Sequence, residues 1–450
     1  MTADARELSV GQRALWLVYR IAPENPGSNV VHGLYLTPGL DLDTLRRAVP
    51  LVRQRHDVLR SRFVQTEAGP VRVVDPDLPC EVAVEDVDHL DDDGLLTRCR
   101  EVGDQPMRLA EEGPLRVVLL RRRTDCVLVV VVHHIATDFH SQRIIWHDLT
   151  EAYGALHDGR PIDLPPLTGS YDDFVARERS ALTGPRAERL SAYWEQVCAG
   201  ATAATLPTDR PRPPVRSFRG AAFGRDLDGD LAGLLRDAAA AAGVTPYSVV
   251  LAAFTATLYR YTGLTEFTVG CPASLRRGQA LRKVVGLLVN TIALRASWDP
   301  ETTFAEAVAG ASRQLAGGLA HAAYPFALVR SDRRDRDPVV RATVSLLVHQ
   351  HDDDYTDDRH GFTGHRIRLL DIAYDEGQFD LSVTLTQYQD GRVQAEFGYD
   401  TDLFDEETVQ RFAGHFLRML RLACAAPDTV VSRAAMVDEA ELRDLLTLGT

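Results

Sequence analysis

The chain has few cysteines, and none of them cluster. Its six, Cys80, Cys99, Cys126, Cys198, Cys271 and Cys424, are scattered singly, so neither a disulfide framework nor a cysteine-rich metal centre is written into it. Neither CxxC nor HExxH spacing occurs, which removes the commonest zinc signatures. No GxSxG elbow and no Cys/His pairing is visible, so a serine or cysteine acyl-enzyme is not indicated. No apolar run of about eighteen residues is present to cross a membrane. The opening MTADARELSV lacks the basic and apolar regions of a secretory leader. The expectation is a cytoplasmic protein with reduced thiols and no membrane partner. Positive charge is also short: 50 Lys and Arg against 64 Asp and Glu leave a net charge of −14. That balance argues against a nucleic-acid partner, because phosphate binding needs clustered cations. The runs Arg121-Arg122-Arg123 and Arg333-Arg334 read as solvated faces or as local patches for acidic partners.

What is present describes a two-domain globular chain. The 450 residues, 45% hydrophobic and 25% charged, suit two cores of about 200 residues each. The stretch 156–169, rich in Pro, Gly and Asp, marks the expected boundary, giving domains 1–168 and 169–450. In the first, an amphipathic piece over 10–19 precedes a strand over 29–36. A helix follows, with Leu42, Leu45, Val49 and Val52 on one face and Asp41 or Asp43 as its cap. An acidic, loop-like region ends near Asp93. Residues 115–121 and 127–132 read as a hairpin turning at Thr124 and Asp125, and Ile144, Ile145, Leu149 and Tyr153 mark a helix packed behind it. In the second domain a helix holding Tyr193 and Trp194 leads to a proline-rich link over 206–215. An alanine-rich helix to Ala242, a buried helix over 246–261 and strands over 266–271 and 342–348 come next. Strands over 381–388 and 393–399 form a hairpin through Gln389-Asp390-Gly391, and a helix over 406–423, capped by Asp405, closes the chain.

The stretch Val127 to Ser141, VLVVVVHHIATDFHS, carries the chemistry. A wholly apolar strand runs into His133 and His134, with Asp138 four residues on. Alternation along a strand would send the two histidines to opposite faces, leaving one working base and one structural partner. An unperturbed imidazole titrates near pH 6.5 and so takes a proton near neutrality without special tuning. A pair satisfied locally, one ring on a carbonyl and one in solvent, is the structural alternative. A metal held by His134, Asp138 and His140 is a third.

Six segments, in order along the chain, resemble those of the condensation domains of nonribosomal peptide synthetases. His133-His134-Ile135-Ala136-Thr137-Asp138-Phe139 resembles the motif HHxxxDG, and RHDVLRSRF at Arg55 to Phe63 resembles RHExLRTxF. SVGQRALWL at Ser9 to Leu17 is similar to SxAQxRLWxL, and SYDDFVARE at Ser170 to Glu178 to YxDFAxW. VVGLLVNTIALR at Val284 to Arg295 is similar to IGxFVNTLPLR, and HAAYPFALV at His321 to Val329 to HQDxPFExLV.

The resemblance implies an α/β fold of two chloramphenicol-acetyltransferase-like lobes, a V-shaped pseudo-dimer with a central tunnel. It implies donor and acceptor carrier proteins as partners, each presenting a thioester on a phosphopantetheine arm, and no cofactor bound by the domain itself. Of the motif residues His133, His134 and Asp138, it makes His134 the working one, as base or as positioner of the acceptor. It pairs Asp138 with Arg276, in VGCPASLR, a segment similar to VGxPVANR. Arg60, with Arg62 beside it, would help hold the histidine loop, and Asn290 would line the tunnel floor. Phe139 stands where the motif has glycine, which reshapes the substrate site or marks lost activity. Two histidines in place of an aspartate pattern argue against heterocyclisation. The C-terminal AELRDLLTLGT resembles a linker into a covalently following adenylation domain. An ester-forming acyltransferase of the same superfamily and a non-catalytic recruitment domain for carriers or tailoring enzymes are the rival functions.

Overall fold

A computed structural model describes residues 4–214, 216–227, 229–329, 338–348, 362, 364–370, 378–388, 391–437, 441 and 443. The Gln389-Asp390 turn, Arg333-Arg334 and most of the AELRDLLTLGT tail lie outside the described residues. The chain forms two compact units, one of residues 1–187, 274–290 and 350–376, the other of 188–273, 291–349 and 377–450.

In the first unit, β1 (Asp4–Glu7), α1 (Val10–Ile21), β2 (Asn29–Thr37) and α2 (Leu42–Arg55) are followed by β3 (Ser61–Thr66), β4 (Gly69–Val74), β5 (Val82–Asp86) and α3 (Asp92–Gly103). Then come β6 (Leu115–Arg121), β7 (Cys126–His133), α4 (Phe139–Asp158) and α5 (Tyr171–Ala181), while α6 (Gly184–Cys198) carries the chain into the second unit. That unit holds β8 (Thr202–Ala203), β9 (Gly220–Asp226), α7 (Gly229–Ala242), α8 (Pro246–Thr262), β10 (Glu266–Ser274), β11 (Val289–Ser297), α9 (Phe304–Ala320) and β12 (Ala342–Val348). After β13 (Arg366–Leu370), which belongs to the first unit, β14 (Leu381–Gln387), β15 (Val393–Asp400) and α10 (Glu406–Ala425) complete the second.

The strand that carries the histidines is the most buried in its sheet. The order is β13-β2-β7-β6-β5, so β7 has a neighbour on both edges, and all eight of its residues are buried. Valine and leucine at both alternate positions suit a strand covered on both faces. Helix α2 is capped by Asp41, whose carboxylate accepts the Thr44 N–H, rather than by Asp43. The region read as an acidic loop instead contains β3, β4 and β5, and β1 joins β4 and β3 in a small sheet. Those strands are five or six residues long. Charged and proline residues punctuate them, so their alternation is too brief to stand out.

The first unit runs past residue 168 because α5 is tied into it. Asp172 accepts from Arg6 and from the fully buried Arg72, each at 2.8 Å, and Glu178 accepts the Val10 N–H at 2.8 Å.

The second unit repeats the plan of the first. Its sheet, β11-β10-β12-β14-β15-β9, pairs β15 with β14 and β9 as β7 pairs with β6 and β2. The register matches at the strand ends: Asn29 faces His133 and Gly220 faces Asp400. The next residue repeats as well, since the His134 N–H donates to the Ser28 carbonyl and the Thr401 N–H to the Arg219 carbonyl. Helices α4 and α10, 20 residues each, follow at the same place. Asp405 precedes α10 without a side-chain cap bond, its carboxylate engaged by Arg210. Among the described residues no single helix is long and apolar enough to cross a membrane.

Truncating the strand under the histidines tests this core. Leu128, fully buried in β7, should cost about 2–5 kcal/mol as Leu128→Ala, read as a lowered urea midpoint. An unchanged midpoint would place β7 outside the cooperative core.

Candidate active site

The turn after β7 is built from its own backbone and a few buried side chains. Strand β7 ends at His133, and His134–Ala136 form a single 3₁₀ turn. The histidines are therefore separated by a change of backbone conformation, not by the strand alternation expected. His133 is buried, and its Nδ1 accepts the Ile135 N–H at 3.1 Å. Burial, then the charge of neighbouring His134, push its pKa down to about 3. His133 is thus neutral, an acceptor that shapes the turn.

His134 is the partly exposed member of the pair. Its Nδ1 lies 2.7 Å from the Thr137 carbonyl oxygen. A carbonyl only accepts, so Nδ1 bears the proton, and in the neutral ring Nε2 carries the lone pair.

Asp138 closes the turn and opens α4. Its Oδ1 accepts the Ser141 N–H at 2.8 Å, and its Oδ2 accepts from Arg276 Nη1 at 2.5 Å and from the Leu288 N–H at 2.9 Å. Burial alone would push this carboxyl up; the charge and hydrogen bond of Arg276, with the two backbone donors, hold it below the usual carboxylate range. The Asp138–Arg276 pair is present, its side chains 4% and 6% exposed. Arg276 Nη2 also donates to Ser141 Oγ at 2.6 Å. That hydroxyl donates to the Gly286 carbonyl at 2.8 Å and accepts the Gly286 N–H at 3.0 Å. Gly286 has φ +155°, and a Cβ there would sit 2.1 Å from the Tyr171 ring, so glycine is required for the segment to lie flat on that ring.

The other site residues expected from sequence fall at different distances from the turn. Phe139 is the first residue of α4 and is not among the non-glycine residues with positive φ. Phenylalanine therefore occupies the motif-glycine position in ordinary helical backbone. Asn290 is the second residue of β11 and half-buried. Arg60 ends a 3₁₀ turn after α2 with its Nε buried and unpartnered. Arg62 is committed to Asp75 at 2.7 Å and to the carbonyls of Ala110 and Glu111. Among the described residues no hydrogen bond joins the side chain of Arg60 or Arg62 to residues 133–138 directly, and Arg62 instead meets the segment that precedes Pro114, whose carbonyl accepts the His133 N–H. The turn is held from α1 and the 274–290 segment instead. His140 lies against the Arg282 carbonyl at 3.1 Å, its pKa lowered by burial and by Arg276. Among the described residues no three His, Cys, Asp or Glu side chains gather as a metal site.

Sequence reasoning does not single out Ser141, Gly286, Tyr171, Ser9 or Gln12, which also build the turn. Each lies within or beside a segment that resembles a family motif. Their small, polar or glycine character is the signal, but only the fold brings them to the turn.

Compared with known proteins, residues 2–446 match the family model of the condensation domain. The chain belongs to the condensation domain family. Its relatives are nonribosomal synthetases: 98% of the chain aligns at 28% identity with bacitracin synthase 3 of Bacillus licheniformis, of which it spans 7%. It aligns over 97% of its length, at 29% identity, with phosphinothricin tripeptide synthetase PhsC of Streptomyces viridochromogenes, spanning 41% of that protein. The chain thus spans well under two thirds of these relatives. In structure it resembles the first condensation domain of the calcium-dependent antibiotic synthetase bound to a substrate analogue, with a TM-score of 0.81 at 25% identity over 96% of this chain and all of that one. The X-domain of teicoplanin biosynthesis, in its complex with OxyB, shares the fold with a TM-score of 0.83 at 24% identity, over 98% of this chain and 97% of that one. The condensation-domain fold expected from sequence is the one found.

Unfolding measurements probe how the condensation domain holds this turn. Arg276→Ala leaves Asp138 buried without its countercharge and should cost about 3–5 kcal/mol in urea unfolding; a loss below about 1 kcal/mol would reduce the pair to a surface contact. For His133 the folded pKa lies below the unfolded value of about 6.5, so its stability contribution is full above that pH and is lost as pH falls toward 3. At about pH 5.5 the loss is about 1.4 kcal/mol relative to about pH 7.5. His133→Asn, which keeps an acceptor but does not titrate, should lack that increment; an identical pH dependence would contradict it.

Proposed function

We propose that this domain joins a donor acyl or peptidyl thioester to the amine of an acceptor aminoacyl thioester, both presented on phosphopantetheine arms of carrier proteins, with His134 as the proton acceptor. The observation that carries the reading is the bond between His134 Nδ1–H and the Thr137 carbonyl. It fixes the tautomer that leaves the basic nitrogen at Nε2, on the more exposed of the two rings.

The acceptor nitrogen attacks the donor carbonyl carbon, and the proton it sheds passes to His134 Nε2. The C–N bond forms, the C–S bond breaks, and the imidazolium returns the proton to the departing thiolate of the donor arm. His133, held neutral by burial, keeps a second positive charge from competing with the imidazolium. Asp138 and Arg276 do not touch the reacting atoms in this scheme; they hold the turn so that Nε2 meets the acceptor nitrogen at one distance. The adenylation domain and carriers that load the substrates belong to other segments of such synthetases.

A second reading, a recruitment domain without transfer activity, draws on Phe139. Its ring directly follows Asp138 at the start of α4, where the family motif has only a hydrogen.

Intact-protein mass spectrometry of an acceptor carrier bearing an aminoacyl arm, incubated with a loaded donor carrier, tests these readings. Donor mass should appear on the acceptor arm, and His134→Ala should slow transfer by roughly 10²–10⁴-fold, the usual contribution of a general base. Transfer unaffected by His134→Ala would overturn the assignment. No transfer with carrier binding intact would favour recruitment, and transfer to a hydroxyl acceptor alone would make the product an ester.

A further inference from the structure

The Ile135 carbonyl of the histidine turn is satisfied from outside the turn. Within His134–Ala136, the His134 carbonyl accepts the Thr137 N–H at 3.3 Å. The Ile135 carbonyl is met from far along the chain, by Gln12 Nε2 at 2.8 Å. Gln12 is fully buried on α1. The same side chain completes the capping box of α1, its Oε1 accepting the Ser9 N–H at 3.2 Å while its own backbone N–H donates to Ser9 Oγ at 3.1 Å.

These bonds continue into a closed circuit. The Tyr171 hydroxyl lies 3.0 Å from Ser9 Oγ and 3.2 Å from the Leu287 carbonyl. The next residue, Leu288, gives its N–H to Asp138, which brings the path back to the turn. Gln12, Ser9, Tyr171, Leu287, Leu288 and Asp138 therefore link α1, α5 and the 274–290 segment around His134. All of these residues belong to the first unit. Tyr171 and Asp138 are also buried, so water offers little replacement for a broken link.

We infer that Gln12 is a positioning residue for the transfer reaction, acting through the Ile135 carbonyl to hold His134 at its working angle; this rests on the proposed role of His134. Asp138 holds one end of the turn and Gln12 its middle. With the amide donor gone, the Ile135 carbonyl loses its partner and the turn can rotate, carrying His134 Nε2 with it. A displacement near 1 Å at a reacting atom costs as much as 10²-fold in rate.

Two variants separate positioning from helix capping. Gln12→Glu keeps the acceptor that caps α1, a favoured third-position residue, and loses its donor to Ile135 only above the raised pH at which this buried carboxyl ionises. Gln12→Met keeps the volume and loses both bonds. Gln12→Met at any pH, and Gln12→Glu once its carboxyl is ionised, should lower kcat by about 10- to 100-fold, with KM for the acceptor carrier within about twofold of the unmodified value, because neither alters a surface that binds it. Amide hydrogen exchange over 133–138 should accelerate in both, with α1 protected in Gln12→Glu. Wild-type kcat in Gln12→Met, which cannot donate at any pH, or a loss confined to KM, would overturn the inference while leaving the role of His134 standing. Absence of transfer by the unmodified domain would overturn both.

Discussion

A single buried carboxylate organises this site. Asp138 accepts from Arg276, Ser141 N–H and Leu288 N–H at once, so it caps the 20-residue helix α4, neutralises a buried guanidinium and anchors the 274–290 segment. A charge taken from water costs several kcal/mol unless it is paired and bonded. Here both carboxylate oxygens are used, and further Arg276 donors are directed to Ser141 Oγ and the Val284 carbonyl. The turn between β7 and α4 is thereby held at its far end, and His134 sits between that end and the strand.

The two histidines illustrate how identical side chains take unlike roles. His133 ends a strand covered on both faces, and burial makes its charged form too costly to populate near neutrality. His134 comes one residue later, after the backbone has left the strand, and reaches a partly exposed position. The carbonyl of Thr137 assigns its tautomer. In the second unit the same place after β15 holds Asp400 and Thr401, with Asp400 buried and paired with Arg216. The repeated scaffold thus carries an imidazole pair in one copy and an ion pair in the other, which shows how loosely the fold binds the identity of the side chains at this turn.

Much of this is legible in the sequence. The wholly apolar run of β7, an aspartate cap on α2, with Asp41 and Asp43 both open, and the buried helix α8 follow from period and composition, and the Asp138–Arg276 partnership follows from resemblance to the family. What stays hidden depends on distance along the chain. Gln12 meets Ile135 across 123 residues, and nothing in an isolated SVGQ signals that reach. The strands β3 to β5 are lost among charges and prolines because five or six residues give too few alternations to read.

The most direct test of the account is the protonation pattern of the His134 ring. Nitrogen-15 NMR of the histidine-labelled domain, above the titration range and with the signal assigned by its loss in His134→Gln, separates protonated from unprotonated ring nitrogens. The account predicts a proton on Nδ1 and none on Nε2, unaveraged. A ring protonated at Nε2, or one exchanging between the two forms, would contradict it, because the Thr137 carbonyl would then not be fixing the base.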